Sequence, residues 1–206
     1  MLRQRFMSWF STAALLMAAA SAAHAQQAPD ALVKQVSTEV LESARADKSI
    51  QAGDVNKVML LVEAKVMPHV NFQRMTSSAV GRYWRQATPD QQKRLQEEFK
   101  TLLVRTYSGA LAQVKDQTVQ LKPLRAGASD TEVIVRTEIR GKGDPIQLDY
   151  RLEKIDNDWK IYDVNVLGVW LVENYRNTFA QEISAGGIDG LIAKLTERNK
   201  AAGAKS

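Results

Sequence analysis

DWKIYDVNVLGVWLVENYRNTF, Asp158 to Phe179, changes its hydrophobic period halfway along. The first half is rich in β-branched and aromatic residues and is entered through the turn-like Asp156-Asn157-Asp158, so it reads as a strand. In the second half Leu171, Val172, Tyr175, Thr178 and Phe179 recur at helical spacing, and the chain is expected to bend at Gly168 and leave as a helix. A strand, a glycine bend carrying a large aromatic, and an apolar helix together build the wall and rim of a pocket. The stretch supplies no obvious nucleophile or metal ligand.

Three more strands precede it. Val119 to Leu124 is the first, and Glu132 to Ile139 the second, with Val133, Val135, Thr137 and Ile139 on one face. Gly141 to Asp144 makes a hairpin loop. Ile146, Leu148, Tyr150 and Leu152 then alternate with Gln147, Asp149, Arg151 and Glu153, the pattern of a half-buried strand. In the last strand Tyr162, Val164 and Val166 are assigned to the apolar face. This predicts a four-stranded antiparallel meander.

The N-terminal half reads as helices. Leu32, Val33, Val36, Val40 and Leu41 mark the first from Asp30 onward, and Val58, Leu61, Val62 and Val66 a second that Pro68 ends. Asn71 is placed to cap a third. Thr88-Pro89-Asp90-Gln91 has the composition of a capping box with proline at the first helical position. The helix behind it, apolar at Leu95, Phe99, Leu102, Leu103, Tyr107, Leu111 and Val114, would span ~40 Å and cross a whole sheet. Gly186-Gly187 is expected to break the C-terminal helix before a short last one over 188–195, and the polar residues 199–206 to form a disordered tail.

Residues 1–25 have the composition of a cleaved signal peptide. Arg3 and Arg5 precede a short apolar run around 13–20, and Ala23-His24-Ala25 is an Ala-x-Ala cleavage site. The run is shorter than the ~20 residues of a membrane span. Residues 26–198 then make one domain. The chain has no cysteine, which excludes disulfides and thiolate metal sites, and beyond His24 its only histidine is His69, which excludes a multi-histidine metal site. Without Arg3 and Arg5 the formal charge falls from +5 to +3, too little and too scattered for a nucleic-acid binder.

The 158–179 stretch resembles the signature of the MlaC, or toluene-tolerance auxiliary, family. The likeness lies in Trp159 to Val164, in Gly168, Val169, Leu171 and Val172, and in Asn174, Tyr175, Arg176 and Phe179. It continues upstream through Pro68, Val70, Phe72, Val80-Gly81, Trp84, Thr88-Pro89 and Thr106-Tyr107. Trp170 departs from it, standing where the family has a small serine, and Asn71 replaces the usual aspartate. The resemblance implies an α+β fold of the cone-shaped, nuclear-transport-factor-like kind: a curved sheet packed against a helical layer that includes one long crossing helix. It further implies a soluble periplasmic carrier that shuttles phospholipid between an inner-membrane ABC transporter complex, with its periplasmic lipid-binding ring, and an outer-membrane lipoprotein–porin complex. No metal or cofactor is implied, and a monomer is the expected state.

On that reading the acyl chains would lie against Tyr107, Val133, Val135, Ile146, Leu148, Tyr150, Val164, Val166, Val169, Trp170, Leu171 and Tyr175, with Trp170 narrowing or lidding the mouth. The same residues could instead pack as a solid core. An enzyme of the same cone shape would need an acid–base set, for which Asp163 and Tyr162, with Tyr107 and Tyr150, are the candidates; Asp149 and Asp163 are both expected to face away from the pocket. A lipid-free adaptor that bridges partners is the third alternative.

Overall fold

The computed structural model describes residues 27–127 and 129–203; the expected signal peptide, residues 1–25, lies outside them. Six α-helices and five strands follow in the order α1 (Pro29–Ala46), α2 (Lys48–Gln51), α3 (Val55–Leu61), α4 (Phe72–Val80), α5 (Pro89–Ala112), β1 (Thr118–Leu121), β2 (Glu132–Arg140), β3 (Ile146–Ile155), β4 (Asp158–Val166), β5 (Val169–Trp170) and α6 (Leu171–Gly203). The strands form one antiparallel sheet in sequence order.

Polar side chains start most of the helices where the sequence places them. Asp47 and Asp54 accept from the backbone N–H groups that open α2 and α3. Asn71 accepts from Arg74 N–H at α4. At α5 the capping box is complete, with Gln91 N–H donating to Thr88 Oγ1 at 3.2 Å and Thr88 N–H to Gln91 Oε1 at 3.0 Å. Thr88→Ala is therefore expected to cost about 1 kcal/mol in urea unfolding, with little change in cooperativity. After α3 the chain widens into a π turn at 62–66 and tightens into a 3-10 turn at 67–69 around Pro68, then bridges to the sheet where Asn71 N–H donates to Ile161 O at 2.8 Å.

Three expectations need correction. The sheet has five strands, because the chain does not pass straight from the Gly168 bend into a helix. Val169 and Trp170 first double back on Val166 and Asn165. A two-residue turn allows this, with Leu167 (φ 51°) and Gly168 (φ 91°) both left-handed, as such hairpins require. Second, the helix breaks at Gly187 (φ 69°, ψ −172°) as the glycine pair implies, but the helical segment after the break runs on to Gly203 instead of ending near 195. Residues 199–203 are thus helical, and Asn199 is buried with its amide donating to Glu98. Third, Tyr162 is not on the apolar face. Leu152 faces Ile161 but Arg151 faces Asp163, so Tyr162 is the extra residue of a β-bulge. The bulge resets the alternation and puts Ile161 and Val164 on the inner side, Tyr162 and Asp163 on the outer.

Helices cover the inner side of the sheet. Val133, Val135, Leu152 and Ile161 bury against Leu32, Val33 and Val36 of α1. Further along, Ile139 shares an apolar cluster with Leu41, Val58, Leu61 and Val104. A third cluster lies among the helices, where Phe99 of α5 meets Met75 and Ala79 of α4 and Phe179, Ile183 and Leu191 of α6. Half-buried Val164 packs against both the α1 cluster and the helical one, Tyr150 against the first of these, and Leu148 against the Ile139 cluster.

Candidate functional site

Burial on the inner face falls steadily along two neighbouring strands. On β3 it runs from Leu152, wholly buried, through half-buried Tyr150 and Leu148, to Ile146 at 42% exposure. On β4 and β5 it runs from buried Ile161 through half-buried Val164 and Val166 to Val169 at 50%. All of these belong to the inner side by strand register. In a solid core the middle residues of such strands would be sealed. Along β3, β4 and β5 the apolar face opens toward the end that carries the β2–β3 and β4–β5 turns, while β2 stays buried as far as Ile139. Among the helices, Val62, Phe72, Leu102, Leu103, Tyr107 and Tyr175 are likewise only half buried.

The expected lining residues divide into four groups. Val133 and Val135 are sealed in the cluster with α1, and Leu171 is buried at the start of α6. Leu148, Tyr150, Val164 and Val166 occupy the half-buried middle, and Ile146 and Val169 its outer edge. Tyr107 and Tyr175 stand on α5 and α6; Tyr175 packs edge-on to Phe99 with ring centres 5.0 Å apart. Burial raises the pKa of Tyr150, Tyr107 and Tyr175, which keeps all three as neutral hydroxyls. Tyr150 hydroxyl lies 3.2 Å from Ser37 Oγ, so its polar end is satisfied inside an apolar surround.

Trp170 is the exception. It pairs with Asn165 on the outer side, and its ring stacks 3.9 Å from the Arg151 guanidinium. It neither narrows nor lids the inner face. The pairing of the two-residue strand β5 with β4 is what turns it outward.

The outer side carries the charged chemistry. Arg74 stacks on Tyr162 at 3.6 Å and pairs with Glu132 (2.7 Å) and Glu153 (2.5 Å), and the Arg74 hydrogen bond holds the Glu132 carboxyl below its ordinary range. Beside it Asp163, 1% exposed, accepts from Val164 N–H (2.9 Å), Val172 N–H (3.1 Å) and Arg151 (3.1 Å). Burial pushes its carboxyl up, against the pull of those three donors. Asp149 also lies on this side by strand register, buried rather than solvated, with Gln147 donating to it at 2.8 Å. Asp163 and Tyr107 therefore do not converge: one is spent pinning α6 to the outer side of β4, and the other stands in the helical layer. His69 is half buried in the 3-10 turn, and burial lowers its pKa.

Two surface clefts lie elsewhere. One, of about 660 Å³, runs between α4 and α6 past Arg82, Arg85 and Arg176. The other, of about 430 Å³, lies on the outer side of the sheet past Arg125, Arg136 and Arg151. Of the expected lining residues only Val133 borders either. Among the described residues no group of three or more His, Asp or Glu side chains could hold a metal ion, and no helix is long and apolar enough to cross a membrane.

Comparison with known proteins places this geometry. The phospholipid-binding protein of Ralstonia solanacearum, solved in complex with a phospholipid, superposes with a TM-score of 0.82 at 48% sequence identity, over 84% of this chain and 98% of that one. Toluene tolerance protein ttg2D of Pseudomonas putida is 27% identical over 185 residues, 86% of each chain. The intermembrane phospholipid transport system binding protein MlaC of Haemophilus influenzae is 24% identical over 196 residues, 92% of each. The MlaC protein family model matches residues 34–197, and the chain belongs to that family.

Proposed function

We propose that the chain is a periplasmic phospholipid carrier whose acyl chains lie along the half-buried inner face of the sheet. The observation that carries this reading is the likeness to the phospholipid-bound Ralstonia protein, which extends over nearly the whole of that chain at 48% identity. The gradient of burial from Leu152 to Ile146 and from Ile161 to Val169 gives the reading a physical form. Aliphatic side chains left half covered by protein are suited to cover by something else apolar.

The energetics favour tails inside and headgroup outside. Each buried CH₂ contributes about 0.8 kcal/mol, so two acyl chains supply ample binding without a headgroup-specific contact. Burying the charged headgroup unpaired would cost more than it returns. The tails would accordingly lie against Leu148, Tyr150, Val164 and Val166, with Leu102, Leu103, Tyr107 and Tyr175 opposite, and the phosphate at the Ile146–Val169 edge. Val133, Val135 and Leu171 back this wall rather than line it.

The leader-like first 25 residues and the names of the MlaC relatives support a place between two membranes. There a carrier of this kind would receive lipid from one membrane complex and deliver it to the other, an ABC transporter assembly at the inner membrane and a lipoprotein–porin assembly at the outer. The acid–base enzyme reading has no converged pair to support it.

Native mass spectrometry of the exported protein tests the proposal. Adducts of phospholipid mass, released by solvent extraction, are expected. A protein that runs at its bare mass, and stays so after incubation with phospholipid vesicles, would overturn it in favour of a lipid-free adaptor.

A further inference from the structure

Leu167 is an unexplained residue in an otherwise well-matched hairpin. Both positions of the β4–β5 turn have positive φ, a conformation that asparagine or glycine adopts readily and a bulky side chain does not. Gly168 satisfies this; Leu167, at φ 51°, does not. The turn is tightly held, with Gly168 N–H donating to Asn165 Oδ1 at 2.8 Å and Leu167 N–H to Gln147 O at 3.1 Å. Yet the side chain is 65% exposed, so packing within the chain does not offset the strain. Strain kept at an exposed apolar residue points to a role outside the folded chain.

Its neighbours point the same way. Val169 follows it across the turn, and the Leu167–Gln147 hydrogen bond brings in the start of β3 with Ile146. These three are among the four large apolar residues most exposed on the described surface, and they meet at one corner. It is also the corner at which the inner face opens. The adjoining β2–β3 turn carries exposed Arg140, Lys142 and Asp144, and Arg140 is shared with Glu138.

We propose that the Leu167–Gly168 turn, with Val169 and Ile146, is a tip that dips into the headgroup boundary of a phospholipid bilayer as an acyl chain enters or leaves the interior. The proposal rests on the carrier reading above. A bilayer fits this patch better than a protein pocket does. The patch is aliphatic and small, and it borders the edge at which the carrier reading places the lipid phosphate, so an acyl chain leaving the interior for a bilayer would pass it. The β2–β3 turn beside Ile146 holds one exposed cation, Lys142, and one exposed anion, Asp144, so the contact rests on the apolar side chains rather than on charge. Contact through three aliphatic side chains is weak and reversible, which suits a shuttle.

The test separates the tip from the fold. Leu167→Asn keeps the turn and relieves its strain, and Leu167→Asp does the same while adding a charge that the apolar boundary of a bilayer disfavours. Protein loaded with a fluorescent phospholipid is mixed with protein-free vesicles of phosphatidylethanolamine, with and without phosphatidylglycerol, and transfer is followed. Leu167→Asp is expected to transfer about tenfold more slowly, with Leu167→Asn intermediate. Both should keep the wild-type lipid load by native mass spectrometry and an equal or higher melting temperature. Unchanged transfer would overturn the proposal. So would variants that emerge empty, since the turn would then be holding lipid rather than meeting a membrane. Wild-type protein that transfers nothing to bare vesicles would also overturn it and leave a protein partner as the occupant. A wild-type protein that carries no phospholipid at all is seen before any variant is made, and would sink the carrier reading instead.

Discussion

Asp163→Ala is expected to be the most destabilising single change outside the apolar clusters, at about 3 kcal/mol in urea unfolding. The carboxylate is buried and makes three bonds at once, to Val164 N–H, Val172 N–H and Arg151. Its removal leaves the Val172 N–H, in the first turn of α6, without that acceptor in a buried site, and leaves Arg151 with Glu173 at 3.3 Å as its carboxylate partner. Because α6 carries Val172, Phe179, Ile183 and Leu191 into the helical cluster, loosening its start exposes apolar surface as well. A loss below about 1 kcal/mol would mean that β5 alone holds the helix in place.

The pH dependence carries a separate sign. Burial raises the Asp163 pKa above its unfolded value of about 3.9, so the folded protein takes up this proton more readily than the unfolded chain does. The stability tied to the group is complete below the unfolded pKa and is lost as pH rises through the raised folded one. Asp163→Asn cannot titrate. The advantage of the wild type over that variant should therefore narrow as pH is raised from the unfolded pKa to neutrality. A widening gap would mean that Arg151 and the two backbone donors outweigh burial.

What was legible in the sequence depended on whether the signal was local. The capping box at Thr88 and Gln91, the Asn71 cap and the Asp156–Asn157 turn are each decided within four residues, and each is where the pattern placed it. Strict alternation also identified the inner face of β2 and β3. It failed on β4 because a bulge inserts one residue, and Asp163 opposite Arg151 gives no periodic sign of that. Trp170 was misread for a related reason. Its direction depends on whether two residues pair with β4 before the helix begins, and Leu-Gly is a poor advertisement for a two-residue hairpin that usually reads Asn-Gly. The divided interior was not legible at all. Alternating valines and leucines look the same whether they meet side chains or a ligand.

That ambiguity is what Leu148→Trp resolves. Leu148 lies on the inner face two residues from the exposed edge, half buried, next to Val166 of β4. If acyl chains occupy the space above it, an indole there fills room that protein does not use. The lipid-free variant should then fold within about 1 kcal/mol of the wild type. Displacing two methylenes forfeits about 1.6 kcal/mol of burial, and every 1.4 kcal/mol is tenfold, so phospholipid retention should fall more than tenfold. If the space is packed with side chains, the same substitution overfills it and costs about 1–3 kcal/mol of stability with no selective effect on lipid. Leu152→Trp is the control on the same strand and face. Leu152 is wholly buried between α1 and the sheet, so overpacking should destabilise that variant under either description. A Leu148 variant as unstable as the Leu152 one would make the inner face a core, and the half-buried gradient an accident of shape.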